Sequence, residues 1–218
     1  MANDHQLGLK VRDHIKALGI ETPMDPVPEV KGVDWIEPTI EGKLRGVLKY
    51  LGLDLSNDSL AETPKRVAKM YCEEIFTGLD YQNFPKCTTI ENGMNYDEVI
   101  ACKASVMSVC EHHLVPFVGI CHAAYIPAEK VVGLSKINRI VDFFSRRPQV
   151  QERLTLQISE TLKYILETDD VAVVIKAEHM CVKLRGVKDA ASETITSKMS
   201  GKFLSNPSLR AEFLSLTR

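Results

Sequence analysis

The hydrophobic residues of this chain change their period three times, and these changes limit the folds that the chain can adopt. Four stretches of the chain alternate apolar and polar residues, with a period of two. Between the second and the third stretch the period becomes 3.6, and Pro148 separates two predicted helices there. Alternation with a period of two is typical of strands that bury one face, and a period of 3.6 is typical of amphipathic helices. The alternating stretches are 98–110, 117–127, 171–186 and 192–201. The order strand, strand, helix, helix, strand, strand predicts an α+β fold with an antiparallel sheet.

Helical patterns precede the first predicted strand. We expect helices at about 4–18, ended by Gly19, at about 39–51, and from Thr63 as N-cap with Pro64 at the first helical position to Ile75. The segment ETPMDPVPEVKG at 21–32 is rich in proline and predicts a linker. The chain therefore divides into a helical N-terminal region, residues 1–80, and an α+β domain, residues 81–218.

The net charge of the chain is −2 and its pI is about 6.3. A chain without excess positive charge has no global field that attracts a polyanion, so we expect no nucleic-acid partner. The N-terminal sequence lacks the apolar core of a signal peptide, and no run of 18 apolar residues predicts a membrane span. We therefore expect a cytoplasmic protein with no membrane partner, whose six cysteines are reduced.

Three residues have the types and spacing of zinc ligands. Cys110 and His113 form a C-x-x-H pair where the first long strand ends, and a thiolate and an imidazole are both zinc ligands. Alternation along the next predicted strand places His179, Cys181 and Arg185 on one face, so Cys181 is the third candidate ligand. Three protein ligands leave a fourth position for water, whose pKa zinc lowers to roughly 7.

Three other interpretations of these residues stay open. Cys110 and Cys181 are also compatible with packed core thiols or with a disulfide, which a reducing compartment disfavours. A structural zinc site would need a fourth protein ligand. The candidates for that ligand are His112, Cys121 and His122.

A second set of residues suits a nucleotide. Ser135, the expected N-cap of a helix, precedes Lys136 and Arg139, and a helix N-terminus binds anions. Solvated surface cations are the alternative interpretation. Gln151 and Glu152 open the following helix, where Glu152 is either a structural carboxylate or an acceptor for the N1 and amino hydrogens of guanine. Together these cations would suit a triphosphate: Lys136, Arg139, Arg185, Arg66 and Lys69.

Four motifs in this order resemble the GTP cyclohydrolase I family. They are CEHHLVPFVG at 110–119, GLSKINRIVDFF at 133–144, RRPQVQERLT at 146–155 and HMCVKLRGV at 179–187. The resemblance extends from about residue 62 to residue 214. Two local departures are Leu114, where the family often has Phe, and Ile195, which interrupts a threonine-rich run.

The resemblance implies the tunnelling fold and a homodecamer with active sites at the subunit interfaces. It also implies hydrolysis of GTP to formate and 7,8-dihydroneopterin triphosphate, the entry to folate or tetrahydrobiopterin synthesis. The zinc ligands of the family match Cys110, His113 and Cys181. Its acid–base histidines match His112 and His179.

The remaining family roles fall on substrate contacts. The base-binding pair matches Gln151 and Glu152, and Ser135 matches a serine near the ribose and phosphates. The triphosphate cations match Lys136, Arg139 and Arg185, while Arg66 and Lys69 would enter from a neighbouring subunit. Our mechanistic hypothesis is that water activated by zinc attacks C8 of guanine while a histidine protonates the ring nitrogen.

Two other functions compete with this hypothesis. A zinc-stapled module that binds a purine or pterin would have four protein ligands and would release no formate. A tunnelling-fold enzyme with another heterocyclic substrate would share Glu152 but would not need the triphosphate cations. Formate release from GTP separates these alternatives.

Overall fold

The computed structural model describes residues 2–24 and 33–217, without the side chains of residues 33–36. Its strands are β1 (Thr89–Glu91), β2 (Ile100–Cys110), β3 (Pro116–Tyr125), β4 (Lys130–Val132), β5 (Pro148–Gln149), β6 (Val171–His179) and β7 (Thr194–Met199). The central sheet has the strand order β5-β2-β3-β6-β7. All neighbouring strands of this sheet are antiparallel except β5, which pairs in parallel with the end of β2. A separate antiparallel pair joins β1 and β4.

Helices flank the sheet and make up most of the described residues before β1. They are α1 (His5–Ala17), α2 (Val33–Tyr50), α3 (Asp58–Ala61), α4 (Thr63–Lys69), α5 (Leu134–Ser145), α6 (Gln151–Leu166), α7 (Met180–Lys183), α8 (Gly201–Ser205) and α9 (Pro207–Leu216). A π-helical turn, Met70–Ile75, continues α4, and 3-10 turns follow at Thr77–Leu79 and Tyr81–Asn83. The predicted order of two strands, two helices and two strands is confirmed, with the short β1, β4 and β5 added to it.

One face of the sheet carries the main core. Apolar stripes of α5 and α6 pack there, and Ile137, Phe144, Leu154 and Ile158 are fully buried. Helix α1 adds Ile15 to the same core. Helix α1 therefore shares a core with the sheet, while the division of the chain at residue 80 stays a prediction.

The opposite face of the sheet is covered only in part. Phe203 of α8 and Phe213 of α9 pack over Ala124, Ala172 and Val174. Further along this face, the apolar side chains of Met107, Val118 and Ile195 are exposed. The covered and exposed parts lie on the same strands, so the structure divides this face into a helix-covered end and an open end.

The first predicted helix agrees closely with the structure. The Asp4 side chain accepts a hydrogen bond from the Leu7 N–H, and Gly19 has a φ of +69° after the helix end. Asp is a good N-cap, and Gly adopts this left-handed conformation without strain. The predicted helix at 39–51 begins earlier, at Val33, with Pro38 inside it. The predicted linker lies largely outside the described residues.

The third predicted helix extends as expected, but its cap was wrongly assigned. Thr63 is the first helical residue, and the N-cap is Glu62, which has helical dihedral angles because α3 ends directly before it. An N-cap side chain bonds to the helix from an extended backbone. The chain enters α4 directly from the helical turn of α3, so Thr63 is already helical and cannot act as the N-cap.

The strand predicted over 171–186 ends at His179. Helix α7 begins at Met180, so Cys181 lies in a helical turn. The alternation argument that placed His179, Cys181 and Arg185 on one strand face is therefore wrong, although Cys181 still reaches the predicted site. Among the described residues, no helix has the length and hydropathy needed to cross a membrane.

Candidate metal centre and active site

Cys110, His113 and Cys181 converge at one end of the sheet. Their ligand atoms all lie within 4.8 Å of one another. Cys110 closes β2, and a tight turn returns the chain to β3 through hydrogen bonds from Leu114 N to Cys110 O and from Cys110 N to Val115 O. Antiparallel pairing of β3 with β6 brings the end of β6, and with it Cys181, to the same place. The sheet therefore joins two segments about seventy residues apart.

The donor set fits a zinc ion. Two thiolates and an imidazole are preferred zinc ligands, and tetrahedral coordination places such atoms roughly 4 Å apart. Burial and the neighbouring Cys110 thiol raise the pKa of the Cys181 thiol. Within the described part of the chain the group has three members, and the fourth ligands considered from the sequence, His112, Cys121 and His122, are not among them.

His112 lies beside the three ligands with an exposed side chain. Its Nδ1 is 3.9 Å from Cys110 Sγ, and its Nε2 is 3.8 Å from a carboxylate oxygen of Glu111. Arg153 of α6 binds that carboxylate through two hydrogen bonds of 2.6 and 3.3 Å, which lowers the pKa of Glu111. Next to His112 a cavity of about 360 Å³ is lined partly by Pro23 and Leu79.

His179 has a more defined position than His112. Its Nε2 is 2.7 Å from Gln151 Oε1, and its ring stacks on Phe117 with a centroid distance of 4.6 Å. Burial lowers the pKa of His179, and the nearby Glu152 carboxylate partly opposes this change. Glu152 itself is exposed at the start of α6. The structure therefore brings the proposed acid–base and base-binding residues to one end of the sheet.

The structure corrects the predicted N-cap of α5. The helix begins at Leu134 with Gly133 as N-cap, so Ser135 lies inside the first turn and makes no capping hydrogen bond. The extended conformation of Gly133 starts the helix two residues earlier than the sequence suggested. Ser135 is exposed to solvent.

Three of the predicted cations lie near the sheet and its flanking helices. Burial raises the pKa of Cys87 to about 12, and the charges of Lys136 and Arg139 oppose this change, so both cations approach the same thiol. Arg185 Nη1 is 2.6 Å from His113 Nε2, at the metal group itself.

Arg66 and Lys69 both lie on α4. Helix α4, which carries them, packs mainly against α2 and the π-helical turn. Both side chains are exposed, and Lys69 is 3.8 Å from Glu73. The elements that α4 contacts most carry none of the other three predicted cations.

Sequence reasoning missed several residues that support the site. Glu111 and Arg153 stand next to predicted residues in the sequence, but only the fold shows that they pair. Phe117 and Thr196 are ordinary strand residues by pattern, and no signal in the sequence marks them. Their contacts with His179 and Gln151 depend on the pairing of strands that are distant in the chain.

Comparisons with known proteins agree with this geometry. The family model described as GTP cyclohydrolase I matches residues 40–218. The GTP cyclohydrolase 1 of Aeromonas salmonicida (strain A449) is 54% identical over 215 residues, covering 98% of each chain. The protein of the same name from Vibrio vulnificus (strain YJ016) is 55% identical over 205 residues and 94% of each chain. That of Shewanella sp. (strain ANA-3) is 51% identical over 214 residues and 98% of each chain.

Solved structures add a weaker likeness. The archaeosine synthase QueF-Like in the apo form aligns with 47% of this chain and 93% of its own at 20% identity, with a TM-score of 0.41, too low to assign a fold. The family match covers most of the chain, including every segment that contributes to the metal centre. With relatives more than half identical along nearly the whole sequence, this chain belongs to the GTP cyclohydrolase I family.

Proposed function

We propose that this protein is a GTP cyclohydrolase I, a cytoplasmic enzyme that hydrolyses GTP to formate and 7,8-dihydroneopterin triphosphate. This reaction is the first step toward tetrahydrofolate or tetrahydrobiopterin. The observation that carries the proposal is a group of three metal ligands, Cys110, His113 and Cys181, with His112 and His179 beside it. The relatives named GTP cyclohydrolase 1 match the chain over nearly its full length.

Zinc is the ion that we propose for this centre, because two thiolates and one imidazole suit it better than they suit Mg²⁺ or Ca²⁺. When bound, zinc supplies a Lewis acid and lowers the pKa of a coordinated water to about 7. Cys110 at the end of β2 and Cys181 in α7 would hold it, and His113 would complete the set.

The two neighbouring histidines handle protons during water addition to C8 of guanine. His179, half-buried with a lowered pKa, can exchange a proton with the purine ring nitrogen or with a reaction intermediate. His112 is exposed beside Cys110 and can serve the same chemistry from the other side. Both histidines lie next to the metal group.

Substrate binding is assigned to the residues around this centre. Glu152 accepts hydrogen bonds from the N1 and amino groups of guanine. Gln151, the other member of the predicted pair, lies beside it at the start of α6 and directs its side-chain oxygen to His179. Lys136, Arg139 and Arg185 bind the triphosphate, and charged donors suit phosphate oxygens. Ser135, exposed in the first turn of α5, faces the ribose and phosphates.

The active form is a homo-oligomer, which we propose to be a decamer of subunits with the tunnelling fold. Arg66 and Lys69 support this assignment, because both are exposed on a helix whose main packing partners, α2 and the π-helical turn, carry none of the metal-centre residues. A neighbouring subunit could place them over the triphosphate. The active site is then completed at a subunit interface.

The deciding experiment is to incubate the purified protein with zinc and GTP while formate and pterin fluorescence are measured. Equal amounts of formate and pterin are expected from the wild type. The Cys181→Ser variant is expected to form neither product. The control is Cys72→Ser, which replaces a free cysteine outside the metal-ligand group and is expected to form both. Zinc binding without formate would favour a non-catalytic module instead, and turnover of a heterocycle without phosphates would favour another enzyme of the same fold.

A further inference from the structure

The side chain of Gln151 is almost fully buried, and its amide is held by several partners. Its Nε2 donates to Ile175 O at 3.0 Å, to Thr194 O at 3.1 Å and to Thr196 Oγ1 at 3.1 Å. An amide nitrogen has two hydrogens, so these three acceptors share both of them. No amide hydrogen of Gln151 is left over for a substrate.

These partners also decide which way the amide points. Two of the three acceptors, Ile175 O and Thr194 O, are backbone carbonyl oxygens, which cannot donate a hydrogen bond. The opposite orientation would set the Gln151 oxygen against both carbonyls and repel them. The amide oxygen, Oε1, must therefore face His179 Nε2, 2.7 Å away.

The orientation of the amide fixes the proton on His179. Because Oε1 can only accept a hydrogen bond, Nε2 of His179 carries the hydrogen in this contact. In the neutral ring, Nδ1 is then the nitrogen without a hydrogen. The stack of the ring on Phe117, with planes 10° apart, limits rotation out of this arrangement. The position and tautomer of His179 are thus set by a group that does not itself take part in proton transfer.

Thr196 and Thr155 extend this arrangement behind Gln151. Thr155 Oγ1 donates to Gln151 O at 2.8 Å, so its single hydrogen is used. In the 2.7 Å contact between the two hydroxyls, Thr196 must then be the donor. Thr196 Oγ1 accepts from Gln151 Nε2 at the same time. Each hydroxyl donates once and accepts once in a closed ring that begins and ends at Gln151.

We propose that Thr196 is a positioning residue for the reaction: through the Gln151 amide it holds the ring of His179 in the tautomer with hydrogen on Nε2. The inference rests on the proposed function, because it presumes that His179 takes part in turnover. Thr196 does not touch the substrate or the metal ligands in this role. Gln151 likewise contributes its side chain to His179 rather than to the guanine base.

The test compares variants at two threonines of β7 in the intact, zinc-loaded protein. Thr196→Val keeps the shape of the side chain but removes the hydroxyl, and it is expected to lower kcat about 10-fold, as loss of a supporting hydrogen bond at an active site typically does. KM for GTP is expected to stay within about twofold, since substrate contacts are unchanged. Thr196→Ser restores the hydroxyl and is expected to recover most of the rate.

Thr194→Val is the matched control. Thr194 lies on the same strand with similar burial, but Gln151 uses only its backbone oxygen. This variant is expected to keep the wild-type kcat. Zinc content and circular dichroism are measured for every variant so that rates refer to folded, metal-loaded sites. If Thr196→Val does not fold, Thr155→Val interrupts the same ring and is measured in its place.

Three results would contradict the inference about Thr196. A kcat of the Thr196→Val variant that equals that of Thr194→Val overturns the inference, and so does a rise in KM with unchanged kcat, which would show that the network serves substrate binding. A failure of Thr196→Ser to recover activity would also contradict it. Absence of formate release by the wild type would refute the proposed function itself, which is a different result from equal rates in two active variants.

Discussion

His112 and His113 are neighbours in sequence, yet their side chains have different surroundings. His113 belongs to the group whose ligand atoms lie within 4.8 Å, whereas the nearest polar atoms to His112 are Cys110 Sγ and a Glu111 carboxylate oxygen. We expect His113→Ala to lose both zinc and activity. His112→Ala should keep one zinc per chain and lose turnover by about 100-fold or more, the typical range for general acid–base groups. Atomic absorption and formate release measure the two quantities, and loss of zinc from His112→Ala would show that His112 is a ligand.

His122 gives a prediction for stability at acid pH. Burial lowers its pKa below the ordinary value, and the Lys103 charge acts in the same direction. The folded state therefore disfavours the protonated ring, so the contribution of His122 is complete above about pH 6.5 and is lost as the pH falls through its folded pKa. His122→Gln should lose less stability than the wild type between pH 7 and pH 5. Urea unfolding across this range measures it, and parallel curves for the two proteins would contradict the assignment.

At the scale of elements, the sequence predicted the order of strands and helices but not where each one ends. Period two continued beyond His179 in the sequence, and the end of β6 was missed because apolar alternation over 180–185 also fits a short helical turn. The predictions of Thr63 and Ser135 as N-caps were wrong for a related reason. A capping residue needs an extended backbone, and the preceding residues Glu62 and Gly133 determine that conformation.

Gly119 at the middle of β3 has a close approach that the sequence could not show. A methyl group there would overlap the Lys176 carbonyl oxygen and lie 2.6 Å from Ala177 Cα, on the adjacent strand. Because backbone atoms of a central strand cannot move aside, Gly119→Ala is expected to destabilise the protein by about 3 kcal/mol.

Gly42 of α2 is the control for this substitution. Nothing lies within 4 Å of the position that its methyl group would take, and Ala favours a helix by about 1 kcal/mol over Gly. Gly42→Ala should therefore leave stability unchanged or raise it. The midpoint of urea unfolding for the two variants tests the difference, and equal effects would mean that the contact at Gly119 relaxes at little cost.

On the scale of the whole molecule, the candidate site is assembled from segments that are distant in sequence. The C-x-x-H pair and the residue types of the candidate ligands could be predicted from the sequence, because zinc binds few kinds of side chain and at characteristic spacings. The supporting contacts of His179 were not readable, since Phe117, Gln151 and Thr196 meet only after β3, α6 and β7 take their places beside β6. Spacing predicts ligands within one turn, whereas the surroundings of a ligand depend on tertiary packing.

The open end of the sheet leads to a prediction about assembly. Met107, Val118 and Ile195 are 67%, 38% and 62% exposed on one face of adjacent or nearby strands, which the C-terminal helices leave uncovered. An exposed sheet face normally carries polar residues, as β6 does here with Lys176 and Glu178, and exposed apolar side chains among them are typical of an interface. If the proposed decamer covers this face, a buried charge there would be unpaired and would oppose association.

Ile195→Glu is therefore expected to shift the protein from a decamer to smaller species in size-exclusion chromatography with light scattering. Leu18→Glu, at the exposed end of α1, is the control and should keep the wild-type mass. Because Arg66 and Lys69 would enter from a neighbouring subunit, the dissociated Ile195→Glu protein should also have a raised KM for GTP while it still binds zinc through residues of one chain. An Ile195→Glu protein that dissociates and keeps the wild-type KM would show that each chain binds GTP without help from its neighbour.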